Sequence, residues 1–455
     1  MRIELTDNNS GKVSESLFRR EDISALFPIA SKTVSQLCRE NENLLIFPYD
    51  IESTDDRIGD SSVLTIENTD NPDMVRITTG NVMGFIGVGN LQVKIQSRFD
   101  RGRDDFLLYY MLQKVLSFNL FDLNHNNESE DVFDFIMFMF PYFLKKAMRQ
   151  GIYREYRHTE YHDSRIRGPI DISRHIRKDM PFDGRVTYST REHTKDNDMM
   201  QLIRHTIEFM NGKKYGQAVL CQDQETKENV KTVLSFTSTY DRNERSTIIQ
   251  RNLRPKVHPY YTEYKALQSL CLQILRMEEV KYGESEDEIC GILFDGAWLW
   301  EEYVNTILQK QGFRHPENKT GKGGIHLFED IDEYGKMHLS GRRYPDFYKA
   351  GIVLDAKYKN YGDYERVSQI PRDDIHQVIT YMDALKSPRG GYVVPLREPK
   401  KPLTAHLRDS SKTLSLFGIP VSNEEVSYTK FTEQMKRNES ILLTMISNLS
   451  ETHNP

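Results

Sequence analysis

The stretch GRRYPDFYKAGIVLDAKYKNY (residues 341–361) decides the fold of the last third of this chain. Its apolar run beside an Ala350–Gly351 pair predicts a β-hairpin that turns at these two residues. The register around that turn places Asp346 opposite Asp355, and directly opposed residues of antiparallel strands have Cβ atoms about 5 Å apart. Asp355 and Lys357 are two positions apart on one strand, so we expect them on the same face. The stretch therefore predicts two carboxylates and one ammonium group on one side of a sheet.

This set of side chains suits metal-dependent phosphodiester hydrolysis. Two carboxylates this close repel each other unless a cation lies between them. Mg²⁺ prefers carboxylate and phosphate oxygens and keeps several waters, and Mn²⁺ is an alternative ion for the same donors. A bound ion polarises a phosphate and lowers the pKa of a water, while a lysine offsets developing charge. Asp346, Asp355 and Lys357 are therefore candidate catalytic residues, although a surface hairpin with solvated charges would show the same spacing.

The segments on either side of the hairpin carry further candidate site residues. Glu301 lies on a predicted helix before the hairpin and is a candidate metal ligand beside Asp346 and Asp355. Gln377 and Tyr381 lie at positions i and i+4 of a predicted helix after the hairpin, and therefore on one face. If that face is directed at the sheet, the pair can complete the site or contact a DNA backbone. A solvated charge for Glu301 and an exposed polar stripe for the pair remain the alternatives.

The order of predicted elements indicates an α/β multidomain protein. A chain of 455 residues is longer than one hydrophobic core supports. Residues 1–100 contain alternating apolar runs bounded by Gly, Asn, Asp and Pro, which predict a β-rich domain. Residues 101–282 have a helical apolar period and predict a mainly helical middle domain. Residues 283–455 predict an α/β domain with helix, hairpin, helix and strand in that order.

The middle segment combines apolar helix faces with clustered arginines. One predicted face comprises Met199, Leu202, Ile203, Thr206, Phe209 and Met210, and another comprises Tyr264, Leu267, Leu270, Cys271, Ile274 and Leu275. Candidate contacts with DNA phosphates or with a partner protein are Arg165, Arg167, Arg174, Arg177, Arg251, Arg254 and Lys256. A solvated basic face explains the first four of these residues, and a loop before a helix explains the last three, so both alternatives stay open.

Composition argues against several classes of protein. The net charge of −6 provides no global basic signature for nucleic acid, although a local basic channel is compatible with it. Four scattered cysteines without a CxxC pair argue against a zinc or disulfide framework and fit a reducing cytoplasm. No uninterrupted apolar segment is long enough to predict a membrane span.

The glycine-containing segments do not indicate a nucleotide site. Gly84, Gly87 and Gly89 precede a predicted strand and no helix, so we expect tight turns there and no phosphate-binding loop. The sequence contains no G-x-x-x-x-G-K-[ST] motif. We therefore expect no nucleotide bound by this chain itself.

The chain resembles the McrC/LlaJI-type restriction endonuclease subunits, the nuclease partners of McrB-type GTPases. The resemblance is carried by LWEEYV (299–304), YPDFYKAGIVLDAKYK (344–359) and DIHQVITYM (374–382), and upstream by DFLLYYMLQKV (105–115), RIRGPIDISRHI (165–176) and EHTKDNDMMQLIRHTI (192–207). It implies the PD-(D/E)xK nuclease fold for residues 283–455. It also implies catalytic roles for Asp346, Asp355 and Lys357, with Glu301, Gln377 and Tyr381 as further site residues.

The resemblance also implies partners. These are a hexameric McrB-like AAA+ GTPase, whose GTP hydrolysis the chain stimulates, and double-stranded DNA that is methylated or site-specific. The strand-rich first hundred residues depart from the short members of the family, so no role follows for them. Two other functions remain open, namely a non-catalytic adaptor that activates the GTPase and a stand-alone repair nuclease.

Overall fold

The computed structural model describes residues 2–9, 16–41, 44–48, 57–88, 91–100, 105–116, 132–178, 182–213, 216–254, 258–281, 289–316, 323–421 and 427–451. The chain divides into two compact units, one of residues 1–129 with 285–455 and one of residues 130–284. Both sheets and helices are present, which confirms the mixed α/β class.

A five-stranded sheet organises the first part of the larger unit. Its strands in spatial order are β1 (Arg2–Thr6), β7 (Leu91–Gln96), β6 (Val82–Val88), β10 (Ile289–Asp295) and β3 (Leu44–Phe47). A three-stranded sheet of β2 (Leu17–Arg19), β5 (Met74–Thr79) and β4 (Leu64–Asn68), together with helix α1 (Val34–Glu40), completes this part. Apolar side chains of both sheets and of α1 form one buried core.

The two compact units differ from the predicted division at residues 100 and 282. Strand β10 pairs antiparallel with β6 and parallel with β3, so the first and last predicted domains share one sheet. Helix α2 (Phe106–Leu116), predicted to begin the middle domain, also belongs to the larger unit, where Tyr110 packs against Tyr303 at 5.8 Å between ring centroids. Strand pairing over such a separation depends on the tertiary fold, and local sequence patterns do not report it.

The larger unit also contains the candidate hairpin, in a second five-stranded sheet. Its strands in spatial order are β13 (Phe347–Lys349), β14 (Ile352–Ala356), β15 (Arg389–Leu396), β17 (Thr413–Pro420) and β16 (Leu403–His406). The associated helices are α10 (Gly296–Leu308), α11 (Arg372–Ala384) and α12 (Tyr428–Glu451). The predicted order of helix, hairpin, helix and strand is confirmed by α10, β13–β14, α11 and β15. A further hairpin, β11 (Ile325–Ile331) with β12 (Met337–Arg343), was not predicted.

Two helix starts position candidate site residues. Asp295 ends β10 and caps α10, because its side chain accepts a hydrogen bond from the backbone N–H of Ala297 at 2.9 Å. Helix α11 follows Pro371 and has Asp373 and Asp374 in its first turn, where acidic side chains interact favourably with the helix dipole. These starts determine which residues of α10 and α11 face the second sheet.

The smaller unit is mainly helical and also contains a two-stranded antiparallel sheet. Its helices are α3 (Val132–Arg149), α4 (Ile172–Lys178), α5 (Asp198–Asn211), α6 (Gly216–Leu220), α7 (Gln224–Phe236), α8 (Arg245–Arg251) and α9 (Glu263–Lys281). In its sheet, β8 (Glu155–Asp163) pairs antiparallel with β9 (Val186–Thr194). The predicted apolar faces of α5 and α9 are both buried. No helix in the described part of the chain is long and apolar enough to cross a membrane.

The expectation of tight turns is wrong for Gly84 and Gly87, which lie inside β6. Gly89 lies outside the described residues, so the expectation there stays a prediction. Gly84 has a φ of +130°, and a Cβ atom there would lie 2.2 Å from the carbonyl oxygen of Ile292 on β10. The glycine is therefore required by the close approach of two central strands.

We expect Gly84→Ala to lower the free energy of unfolding by about 3 kcal/mol or more, because it combines a strained φ with overlap against β10. Gly335→Ala is the matched control, since Gly335 also has a positive φ of +78° but no atom within 4 Å of an added Cβ. Its cost should be only about 1 kcal/mol. Urea unfolding of the full chain, followed by circular dichroism, measures both. Equal losses in the two variants would contradict the close-approach explanation.

Candidate active site

The β13–β14 hairpin has the predicted register. Phe347 pairs with Leu354 and Lys349 with Ile352 around the Ala350–Gly351 turn, and Gly351 has a φ of +77°. Asp346 directly precedes β13, and its Oδ2 accepts a hydrogen bond from the backbone N–H of Ala356 at 2.7 Å. The Asp346 carboxylate therefore lies against the end of β14, beside Asp355.

Asp355 is a fully buried carboxylate with an incomplete set of partners. Its side chain is 0% exposed, and the ammonium nitrogen of Lys357 lies 2.9 Å from its Oδ2. Its other oxygen, Oδ1, accepts no hydrogen bond from the described residues. Buried polar atoms are almost always satisfied, so a fully buried carboxylate oxygen without a donor indicates a ligand that binds oxygen.

Gln377 and Tyr381 of α11 face the sheet beside Lys357. The Lys357 ammonium donates to Oε1 of Gln377 at 3.0 Å. Nε2 of Gln377 donates to the Tyr381 hydroxyl at 3.2 Å. Tyr381 is buried, so the alternative of an exposed polar stripe is wrong for it. The pair orients the lysine side chain from the helix side.

Glu301 of α10 contributes negative charge to the same site. Its Oε1 lies 3.8 Å from Nε2 of His315, and the other nitrogen of that ring, Nδ1, lies 2.7 Å from the carbonyl oxygen of Asp346. The ring also stacks on Phe347 at 4.9 Å. Burial lowers the pKa of His315, but the carboxylate of Glu302 and the Asp346 segment outweigh it and raise the pKa overall. His315 thus connects α10 to the hairpin.

The electrostatics of the site favour binding of a cation. Burial raises the pKa of Asp346, and the charges of Asp355 and Glu301 raise it further. Burial also raises the pKa of Asp355, against the opposing charge of Lys357. Burial lowers the pKa of Lys357, but Asp355 and Asp346 outweigh it, so its pKa is raised and the side chain remains an ammonium ion. One ammonium group cannot neutralise three carboxylates.

The donor set fits an ion that keeps water ligands. Within the described ranges, no three His, Cys, Asp or Glu side chains form a metal site by themselves. Mg²⁺ does not need such a cage, because it binds through one or two carboxylates together with waters and substrate phosphates. Asp346 and Asp355 can supply those carboxylates. The role of Glu301 as a direct ligand stays a prediction.

Asp374 is a site residue that the sequence analysis missed. Its carboxylate lies 3.8 Å from the Lys357 ammonium and 2.8 Å from that of Lys359, and it also accepts a hydrogen bond from Tyr361. Burial raises its pKa, but the bonds from Lys359 and Tyr361 outweigh this and lower the pKa overall. A signal was present, since Asp374 lies at i−3 from Gln377 and so on the same helix face. His315 carries no comparable sequence signal.

The predicted basic contact residues belong to the smaller unit, residues 130–284. Arg174 forms an ion pair with Glu160, and Arg251 lies 3.5 Å from Asp198. Arg167 donates to the Tyr188 hydroxyl at 3.2 Å. Arg165, Arg177 and Arg254 are exposed, and Lys256 lies outside the described residues. Their roles stay predictions.

A family model described as McrBC 5-methylcytosine restriction system component matches residues 77–395. The chain belongs to this family. The match covers the hairpin with both flanking helices, and it confirms the family that the motifs indicated. No curated protein matches the chain.

Two solved structures from Thermococcus gammatolerans are similar to parts or all of the chain. One is the refined half-complex from a tetradecameric assembly of McrB AAA+ hexamers with bound McrC, at a TM-score of 0.47 and 16% identity, covering 97% of this chain and 100% of that one. The other is the McrBC complex solved by cryo-EM, at a TM-score of 0.32 and 15% identity, covering 70% of this chain and 90% of that one.

The raised pKa values of Asp346 and Asp355 predict a pH-dependent stability. The folded chain binds protons at this pair more tightly than the unfolded chain, where an aspartate has a pKa of about 3.9. Without divalent cations, this contribution to the free energy of unfolding should be full below about pH 4 and lost as pH rises through the raised values. Added Mg²⁺ should restore stability at pH 8, by about 2.7 kcal/mol at a hundredfold excess over its Kd.

Thermal unfolding at pH 5 and pH 8, with and without MgCl₂, measures both effects. Asp355→Asn removes one charge of the pair and should reduce both, while other buried carboxylates titrate alike in the two proteins. A wild-type Tm at pH 8 that responds to Mg²⁺ no more than that of Asp355→Asn would exclude a cation site here.

Proposed function

We propose that this chain is the Mg²⁺-dependent DNA endonuclease subunit of a GTP-driven restriction system. The observation that carries the proposal is the fully buried Asp355 carboxylate, which lies beside a second carboxylate, Asp346, and has the Lys357 ammonium at 2.9 Å from one oxygen and no donor at the other. A buried carboxylate pair of this kind is unfavourable in an ordinary structural hairpin. It is suitable where a cation and a phosphate are to bind.

The site residues have distinct roles in this proposal. Asp346 and Asp355 would hold Mg²⁺, or Mn²⁺ in its place, and Glu301 would be a further ligand. When bound, the ion polarises the scissile phosphate and lowers the pKa of a water. The Lys357 ammonium offsets the negative charge that develops on the phosphate. Gln377 accepts a hydrogen bond from Lys357, and Tyr381 supports Gln377.

The reaction is hydrolysis of one phosphodiester bond. The water oxygen bonds to phosphorus as a P–O ester bond breaks, and the departing oxygen takes up a proton. The arrangement of β13, β14, β15, α10 and α11 around these residues supports a PD-(D/E)xK nuclease fold for residues 283–455. Sheet order and the site's charge pattern are both compatible with it.

The family to which the chain belongs supports an AAA+ GTPase partner, with double-stranded DNA as substrate. The absence of a Walker A motif from the sequence means that GTP would be bound and hydrolysed by that partner. The smaller unit provides a suitable protein-binding surface. Ile172 and Ile176 of α4 are 67% and 56% exposed, and Arg165 and Arg177 are exposed close by in the sequence. Exposed apolar side chains rimmed by charge are typical of protein interfaces.

Asp355→Ala should reduce DNA cleavage by about 10²- to 10³-fold or more, because it removes a carboxylate from the reacting centre. GTP hydrolysis by the partner should still be stimulated. Both rates are measured with partner, GTP, Mg²⁺ and DNA present. Asp373→Ala is the control, since Asp373 is a carboxylate of the same unit whose side chain is 88% exposed.

Three outcomes separate the proposal from its rivals. Wild-type protein that stimulates GTP hydrolysis but never cleaves DNA would establish the adaptor function. Mg²⁺-dependent cleavage by the purified chain alone, without partner or GTP, would establish a stand-alone nuclease. Loss of both activities in Asp355→Ala, with Asp373→Ala normal, would indicate that Asp355 supports the fold and not only the chemistry.

A further inference from the structure

The residue between the two lysines of the candidate site is anchored in the N-terminal sheet. Tyr358 follows Lys357 and is 3% exposed. Its hydroxyl lies 2.6 Å from Oγ of Ser97, just after β7. Its ring meets Phe99 edge-on at 5.0 Å between centroids, and it packs against Gly296 at the start of α10. Residues 97–99 therefore form the surface against which Tyr358, two residues after the end of β14, packs.

Arg98 makes the most specific of these contacts. Its Nη2 donates a hydrogen bond to the carbonyl oxygen of Tyr358, and its guanidinium carbon lies 4.5 Å from the Tyr358 ring centroid. Its Nη1 lies 2.9 Å from Oδ2 of Asp7, a carboxylate that is 0% exposed. The backbone N–H of Arg98 donates to the other Asp7 oxygen at 2.6 Å. Asp7 thus fixes the guanidinium that binds the Tyr358 backbone.

The neighbouring lysines depend on the position of this backbone. Lys357 and Lys359 both reach Asp374, at 3.8 and 2.8 Å, while Tyr358 between them points to the N-terminal sheet. On the other side, the backbone N–H of Lys357 donates to the carbonyl oxygen of Val393 on β15 at 3.1 Å. The backbone that carries both ammonium groups is therefore restrained by β15 and by Arg98.

We infer that Arg98 is a positioning residue of the proposed active site, which acts by holding the Tyr358 backbone so that the Lys357 ammonium faces Asp346 and Asp355. The inference rests on the proposed nuclease function. It gives the N-terminal sheet a role as part of the active-site scaffold. Strand β10 of the same sheet leads directly into α10, the helix that carries Glu301.

The chemistry of arginine suits this role and that of lysine does not. A guanidinium has several donors in one plane, so it can bind the Asp7 carboxylate, donate to the Tyr358 carbonyl and stack on the ring at the same time. Charge-assisted hydrogen bonds of this kind are stronger than neutral ones. A displacement of about 1 Å at a reacting group can cost about 10²-fold in rate. Loss of Arg98 should therefore reduce catalysis without removing any group that touches DNA or the ion.

The test compares Arg98→Ala and Arg98→Lys in the complex with partner, GTP, Mg²⁺ and DNA. Arg98→Ala should lower kcat for cleavage by about 10- to 100-fold, with KM for DNA and the Mg²⁺ dependence nearly unchanged. Arg98→Lys should be intermediate. Guanidinium chloride at low millimolar concentration should restore part of the rate of Arg98→Ala and none of the rate of Lys357→Ala.

A matched control separates positioning by Arg98 from a general loss of positive charge in the sheet. Arg2→Ala removes a half-exposed arginine from β1 of the same sheet and should change neither Tm nor cleavage. The inference is overturned if Arg98→Ala cleaves like wild type, or if its lost rate is not restored by guanidinium. Wild-type protein that never cleaves would instead overturn the proposed function, and the inference with it.

Discussion

The structure around the site depends on the burial of Asp355 beside Asp346. Removing a carboxylate from water is costly unless other groups replace its hydration. Here one lysine lies 2.9 Å from Asp355, and a backbone N–H donates to Asp346. These two contacts replace only part of the hydration that the two carboxylates lose on burial. The raised pKa values of both aspartates reflect this deficit. The surrounding elements must therefore hold these groups together against their repulsion.

Several elements share that task. Helix α11 supplies Gln377 and Asp374, which contact Lys357 from the helix side. Helix α10 supplies Glu301 and also Trp300, whose indole N–H donates to the carbonyl oxygen of Val393 on β15 at 3.0 Å. The N-terminal sheet holds Tyr358 through Arg98. Each element limits the movement of one short backbone segment, which is the condition for placing a charged group accurately.

The hairpin and its helices were predictable because their signals are local. A turn at Ala350–Gly351 sets the register, and the register places Asp346 next to Asp355. The i, i+4 spacing of Gln377 and Tyr381 likewise follows from helix geometry alone. His315 and Arg98 were not predictable in this way. Each reaches the site from a distant segment, and no periodicity in the sequence connects it to the residues it contacts.

By itself, the sequence determined the α/β class, the hairpin register, the buried faces of α5 and α9 and the family of the chain. All of these depend on neighbouring residues or on short motifs. Only the tertiary structure decided that β10 joins the N-terminal strands, that Gly84 allows those strands to approach closely, and that Tyr358 is anchored by Arg98. The reason is physical, since pairing between strands far apart in the chain is selected by packing of the whole core, and no local pattern encodes the partner.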